Sequence, residues 1–325
     1  MFFGFNEDQL AIRDAVAGFL EQRAGLDYLQ RAWADPSSDE VWRVWSDLAE
    51  MGVQGLLGPD GLDWVTMALV LAEAGRVALP LPLLETAAIG VPLLVAAGDP
   101  TGDVPGLIDG SVVLTATASS GALVPSAQRA SLFLVGDHVY RRDEVALEFL
   151  PSVDVTRDTA RVVPLAAGTA VGFDRPAAVE LGALGSAAML IGLGRAMLDM
   201  TVDYVKERRQ FGVPVGSFQA VKHHLADAAM HLEMAAPAVW AAAWELDHSG
   251  EPGEWRRSVS LAKGLASDAA SLAGRVALQC HGAIGYTVEY GLHMWLKRVW
   301  CLASSYGTAG WHRRRIAAGL GLAAS

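Results

Sequence analysis

Cysteine, charge and long apolar runs are all scarce in this sequence of 325 residues. Its two cysteines, Cys280 and Cys301, have neighbours that match no zinc pattern, so we expect a reduced, cytoplasmic setting. A net charge of −11 argues against nucleic-acid binding, because neutralising phosphates requires clustered Lys and Arg. No apolar run reaches the roughly eighteen residues that span a bilayer. The early acidic residues Glu7 and Asp8 argue against a signal peptide.

What the chain does contain is apolar: hydrophobic residues make up 52% of it and charged residues only 19%. Alanine, glycine and leucine dominate, which is typical of helices that pack closely on one another or are buried in an oligomer. The length predicts two or three domains.

The first hundred or so residues show helical periodicity. Asn6 is predicted to cap a helix together with Gln9, three residues later. Ser38 is predicted to begin another helix, and further helices are expected over residues 63–77 and 85–97.

The periodicity changes in the middle of the chain. Residues 112–117, 132–135 and 161–163 are short β-branched or aromatic runs, which predict strands. Gly136-Asp137 is predicted to turn a hairpin from residues 132–135 into a further strand at Val139-Tyr140. We therefore expect a small β domain here.

Long helical patterns return in the last part of the sequence and predict a four-helix bundle. Gly192-x-Gly194 is a weak dinucleotide-binding pattern with no preceding strand, so helix packing explains it better. The predicted helices cover residues 176–208, 217–248 and 254–282, with shorter helices from Glu289 and Ala309. The predicted domains are an N-terminal helical domain (1–102), a middle β domain (103–170) and a C-terminal helical bundle (171–325).

Two blocks of the bundle carry a recognisable pattern. The first block reads Arg208-Arg209-Gln210-Phe211-Gly212, followed by Phe218-Gln219, and the second begins Gln279-Cys280-His281-Gly282-Ala283. Together they resemble the signature blocks of acyl-CoA dehydrogenases, flavoenzymes that desaturate CoA thioesters. The resemblance covers nearly the whole chain and implies the same fold, mainly α with a β domain that is here about half the usual size.

The resemblance also implies an FAD site. Arg208 and Phe211, three residues apart, are expected to project side by side from a helix end. There the guanidinium would bind the flavin-dinucleotide pyrophosphate and the ring would pack beside it. The glutamine and the small residues of the second block would approach the pyrophosphate and ribose. The predicted cofactor-binding residues are Arg208, Phe211, Gln219, Gln279, Gly282 and Ala283.

The catalytic base that the resemblance leads one to expect is missing. Tyr306, in the run Ser305-Tyr306-Gly307-Thr308, occupies the position of the family's glutamate, so no catalytic residue is assigned to this chain. A tyrosine has a pKa near 10 and is almost wholly protonated at neutral pH. His223, His224, His231 and Asp227 fit no metal-ligand spacing, so no metal site is predicted.

These losses follow a pattern. In the family each flavin lies between two subunits, and this chain keeps the groups that a subunit lends to its neighbour. It therefore resembles the short, non-catalytic subunit of heteromeric actinobacterial enzymes that act on CoA thioesters of steroid side chains. The resemblance implies a full-length partner, a heterotetramer and an electron-transfer flavoprotein as acceptor. Two alternatives stay open: a self-sufficient flavoenzyme with Glu180 as base, and a flavin-free scaffold.

Overall fold

The structure, a computed structural model, describes residues 4–117, 123–172, 176–248 and 252–322. Helices come first, strands lie in the middle and long helices follow, as the sequence predicts. The chain forms two compact units. One comprises residues 1–67 and 79–185, and the other comprises residues 68–78 and 186–325.

Both predicted helix caps in the first unit are confirmed. The Asn6 side chain accepts a hydrogen bond from the Gln9 amide at 2.8 Å, and the Gln9 side chain accepts one from the Asn6 amide at 3.0 Å. The Ser38 hydroxyl accepts a hydrogen bond from the amide of Val41. The α-helices before the strands are α1 (Glu7–Arg23), α2 (Leu26–Ala34), α3 (Asp39–Glu50), α4 (Trp64–Arg76), α5 (Val91–Ala96) and α6 (Val104–Ile108), and most of α4 belongs to the second unit.

The helix expected over residues 85–97 is confirmed, but its first half, Leu84–Gly90, is a π-helix that leads into α5. Two buried polar contacts accompany this segment. The Thr86 hydroxyl donates to the Leu114 carbonyl at 2.8 Å. Glu85 pairs with Arg157 at 2.7 Å, and the two side chains are only 0% and 7% exposed. π-Helical segments are rare and appear mostly as single turns inside α-helices.

The middle of the chain folds into two small sheets. Strand order is β1-β3-β4-β7 in one sheet and β2-β6-β5 in the other. The predicted hairpin at Gly136-Asp137 is confirmed, since β3 and β4 pair antiparallel on either side of it. The strands are β1 (Leu114–Thr117), β2 (Leu123–Pro125), β3 (Leu132–Val135), β4 (His138–Arg141), β5 (Val145–Leu150), β6 (Thr159–Pro164) and β7 (Thr169–Ala170). Three of these, β2, β5 and β7, were not predicted from the sequence.

The long C-terminal helices agree with the predicted bundle. Helix α8 packs along α9, and α9 also contacts α10 and α11. The elements are α7 (Pro176–Glu207), β8 (Arg209–Gln210), β9 (Val213–Pro214), α8 (Gln219–His248), α9 (Pro252–His281), α10 (Leu292–Ser304) and α11 (Ala309–Gly319). By length and composition the segment Ala178–Glu207 could cross a membrane, but 89% of its apolar window is buried inside the molecule, as in a core helix.

The Gly192-x-Gly194 pattern serves helix packing, as predicted. Gly192 lies in the middle of α7, and a Cβ there would collide with the carbonyl oxygen of Ala72 on α4. A Cβ on Gly194 would come within 2.5 Å of Leu232 on α8. The two glycines therefore let neighbouring helices approach α7 closely.

Candidate cofactor-binding site

Arg208 and Phe211 do not lie together on a helix end, and that prediction is wrong. Helix α7 ends at Glu207, and strands β8 and β9 form a hairpin with Phe211 and Gly212 at its tip. The φ angles of these two residues are +52° and +85°. Positive φ at both central positions is the turn that matches the twist of a two-residue hairpin. The hairpin places the Phe211 ring outside the protein, where it is 91% exposed.

The first site segment is nevertheless compact. The amide of Val215 donates to the carbonyl of Arg208 at 2.7 Å, which closes the base of the hairpin. The Phe211 ring meets Phe218 edge to face, with ring centroids 6.2 Å apart. Gln219 follows as the first residue of α8 and is exposed. Arg208, Phe211 and Gln219 therefore belong to one short, exposed segment at the start of α8.

The second site segment is the end of α9 and the 3-10 helix Gly282–Tyr286 that follows it. Gln279, Gly282 and Ala283 are all exposed. Gly282 has φ +63°, and a Cβ added there would meet no atom within 4 Å. None of the residues that the structure describes fills the space beside Gly282, so its backbone is open to an outside group.

One ring contact brings the two segments to the same end of the bundle. Tyr204, near the end of α7, stacks on His281, the last residue of α9, with ring centroids 4.5 Å apart. Arg208 comes about one helical turn after Tyr204, and Gly282 directly follows His281. The sequence predicted both segments but not the contact that joins them.

The exposed groups fit the pyrophosphate and ribose end of FAD. Arg208 makes no ion pair with any residue that the structure describes, so its guanidinium is available for a phosphate. The first amides of α8, beside Gln219, suit the same charge. Exposed apolar side chains belong to the same two parts of the chain: Phe211, Tyr286 and Val288 are 91%, 72% and 71% exposed. The role of each predicted residue stays a prediction.

The turn that should carry a base lies between α10 and α11. Tyr306 and Gly307 adopt φ angles of +54° and +102°, which is a costly conformation for a tyrosine. His312 donates from Nε2 to the Tyr306 carbonyl at 3.1 Å. The buried ammonium of Lys263 donates to three carbonyls of this region, those of Leu302 (2.9 Å), Ala303 (3.2 Å) and Gly307 (3.3 Å). Lys263 and His312 thus hold the backbone of this turn by hydrogen bonds. The side chain at the position of the expected base is the phenol of Tyr306.

The hydrogen bonds of Lys263 and His312 to this turn were not predicted from the sequence, although the sequence contains one signal for Lys263. Lys263 stands on the buried stripe of α9, between Ala262 and Ala266, where a side chain of this length must find partners. Burial lowers the pKa of Lys263 to about 7.

The stability of the C-terminal unit is expected to depend on His312 at acidic pH. Burial, helped by the charges of Lys263 and Arg315, lowers the pKa of His312 from 6.5 to about 4. Between these values the unfolded chain binds the proton and the folded chain does not, so stability is present above pH 6.5 and is lost as the pH falls. From neutral pH to about 4.5 the loss attributable to His312 should be about 2 kcal/mol.

Urea unfolding at several pH values measures this dependence, with His312→Gln as the comparison. Glutamine keeps a donor for the Tyr306 carbonyl but does not titrate. The variant should therefore lose clearly less stability on acidification than the parent. Equal losses in the two proteins would contradict the assignment.

Comparisons with known proteins identify the family and the fold. The family described as "Acyl-CoA dehydrogenase, C-terminal domain" matches residues 177–321. The chain is 30% identical over 326 residues to "Acyl-CoA dehydrogenase IpdE2" of Mycolicibacterium smegmatis, covering 96% of this chain and 99% of that protein. Its fold is similar to that of a chain in the ChsE4-ChsE5 complex from Mycobacterium tuberculosis, with a TM-score of 0.89, 20% identity and full coverage of both chains.

A second solved structure, of a variant of "Tcur3481-Tcur3483 steroid ACAD", matches with a TM-score of 0.87 and 24% identity over 97% of this chain and 98% of that one. At such identities the solved structures establish the fold. The match to a curated relative over almost all of both chains establishes more: this chain belongs to the acyl-CoA dehydrogenase family, oxidoreductases that act on CH–CH groups with FAD as cofactor.

Proposed function

We propose that this chain is the non-catalytic subunit of a heteromeric acyl-CoA dehydrogenase and completes the FAD site of a full-length partner. The proposal rests on one observation about the C-terminal unit: it has the groups suited to bind FAD but lacks the base. The groups suited to a pyrophosphate, with Arg208 and Gly282 among them, lie exposed at one end of the bundle. The turn that should carry the base has Tyr306 instead.

The proton acceptor comes from the partner. A phenol with a pKa near 10 is a poor base at neutral pH, and losing a positioned base costs about 10²–10⁴ in rate. The backbone of the Tyr306 turn is held by Lys263 and His312, so a nearby residue cannot readily take its place. FAD, when bound, accepts the hydride. The contribution of this chain is to bind and cover one end of that cofactor.

The names of similar proteins support the assembly and the substrate class. One structural neighbour comes from a complex of two differently named chains, and another is named a steroid ACAD. The subunits form a heterotetramer in the cytoplasm, the acyl group is a steroid side chain bound as a CoA thioester, and an electron-transfer flavoprotein takes the electrons. A reduced β domain leaves room for such a bulky group.

One observation favours a second candidate, a self-sufficient flavoenzyme. Glu180 is a carboxylate on α7 with only 1% of its surface exposed. Buried carboxylates are uncommon and cluster at functional sites. Glu180 as a relocated base stays a prediction.

The proposal is tested by purifying an affinity-tagged chain from its native cells, identifying the co-purified long chain, and then producing both chains together and this chain alone. The pair should be yellow and hold one flavin for each pair of unlike chains, while this chain alone should be colourless and inactive. Native mass spectrometry gives both the stoichiometry and the flavin count. A yellow and active preparation of this chain alone would contradict the proposal, and loss of that activity in Glu180→Gln would establish the second candidate.

A further inference from the structure

Three aromatic side chains meet between the two cofactor-binding segments: Tyr204 of α7, His281 of α9, and Tyr290 before α10. We refer to them as the aromatic cluster. The ring centroids are 4.5 Å apart for Tyr204 and His281, 4.7 Å for His281 and Tyr290, and 5.9 Å for Tyr204 and Tyr290. His281, at the centre, is buried. The cluster is therefore a packed contact between three separate parts of the chain.

The hydrogen bonds of His281 fix its tautomer. Nδ1 lies 2.7 Å from the carbonyl oxygen of Ala277, which can only accept, so Nδ1 carries the hydrogen. Nε2 of the neutral ring then accepts from the Tyr290 hydroxyl at 2.8 Å. Burial lowers the pKa of His281 and keeps the ring neutral near pH 7. Both ring nitrogens are thus satisfied in one arrangement.

This arrangement closes a loop. His281 and Tyr290 stand immediately before and after residues 282–289, so their hydrogen bond joins the two ends of the segment that contains Gly282 and Ala283. Gly291, with φ +82°, follows as the N-cap residue of α10. The bond restricts the backbone of the loop without occupying its exposed side.

The third ring links the loop to the hairpin. Tyr204 stacks on His281 and lies on the last turns of α7, and the amide of Arg208 donates to the Tyr204 carbonyl at 2.9 Å. The position of the Arg208 backbone is thereby coupled to that of His281. The aromatic cluster therefore determines the backbone shape of the second site segment and its distance from the first site segment.

We propose that Tyr204, His281 and Tyr290 are positioning residues that hold the Gly282-Ala283 backbone and Arg208 in a fixed arrangement before FAD binds. The inference rests on the proposed function, because FAD is the group that both segments would contact. Binding to a preorganised site avoids the entropy cost of ordering a loop. Loosening the cluster should weaken cofactor retention although none of its rings contributes a charge.

The test compares matched variants of the two-chain complex. Tyr290→Phe keeps the ring and removes the hydrogen bond to His281, and it should raise the FAD dissociation constant about tenfold. Tyr204→Leu removes the stack and should act in the same direction. Tyr204→Phe is the control, because the Tyr204 hydroxyl lies 3.5 Å from the His281 carbonyl and contributes little. Flavin fluorescence during dilution measures the release.

Hydrogen exchange of this chain alone supplies a readout that needs neither partner nor flavin. The amides of residues 282–289 should exchange faster in Tyr290→Phe and unchanged in Tyr204→Phe. If the wild-type complex holds FAD and Tyr290→Phe retains it equally well, the positioning role is overturned while the proposed function stands. If the wild-type complex holds no FAD, both are overturned. Faster exchange together with weaker retention supports the positioning role.

Discussion

Arg208→Ala is expected to weaken FAD retention by the proposed two-chain enzyme about a hundredfold, because it removes the guanidinium that would form a bidentate, charge-assisted contact with a phosphate. The side chain is exposed and makes no ion pair with any residue in the described part of the chain, so the substitution removes no internal contact of that kind. The stability of the chain should therefore change little. Equilibrium dialysis of the complex against FAD measures the loss.

Arg209 offers a matched control for this prediction. It is the next residue in the chain, carries the same charge and is equally exposed, but it stands on strand β8. Its replacement by alanine removes the same charge from nearly the same place. Comparable losses of FAD retention in Arg208→Ala and Arg209→Ala would mean that only the local positive potential matters. Unchanged retention in Arg208→Ala would contradict the proposed contact between Arg208 and FAD.

Breaking the buried pair of Glu85 and Arg157 is expected to give the largest loss of stability, about 3–5 kcal/mol for either single alanine variant. The partner that remains is a charge buried at 0% or 7% exposure with its main counterion removed. Because the pair joins the π-helix to the segment before β6, the N-terminal helices and the strands should both be affected. Urea unfolding followed by circular dichroism measures the change.

The exposed ion pair of Arg161 on β6 and Glu148 on β5 provides the comparison with the buried pair. Their side chains are 43% and 57% exposed, and exposed pairs contribute about 0–1 kcal/mol. Arg161→Ala should therefore be nearly neutral. Replacing both buried partners, with Glu85→Leu and Arg157→Met together, should recover much of the lost stability. A small effect of the single buried variants would contradict the assignment.

Features that depend on residues close in sequence were predictable. The capping box of Asn6 and Gln9 and the hairpin at Gly136-Asp137 each need only a few neighbouring residues, and both are confirmed. The short strands β2 and β5 escaped prediction because each owes its pairing to β6 rather than to its own pattern. The type of each long helix was clear, since its apolar stripe repeats over many turns.

Features that depend on distant partners were not predictable. Glu85 and Arg157 are 72 residues apart, and the Lys263 ammonium reaches a carbonyl 44 residues away. Neither pairing leaves a local pattern. Phe211 is a different case, because it forms a two-residue turn with Gly212, and a pair ending in glycine is a turn signal that the sequence shows. The backbone conformation expected for Phe211 was wrong, and its role in cofactor binding stays a prediction.

The exposed apolar side chains in and beside the two cofactor-binding segments also affect how the protein has to be produced. Phe211, Tyr286 and Val288 are exposed together in a single polypeptide, and surfaces of this kind promote aggregation until they are covered. Under the proposed function, a copy synthesised in excess of its partner would be retained by chaperones or degraded. Recombinant yield should then rise when both genes are expressed from one transcript.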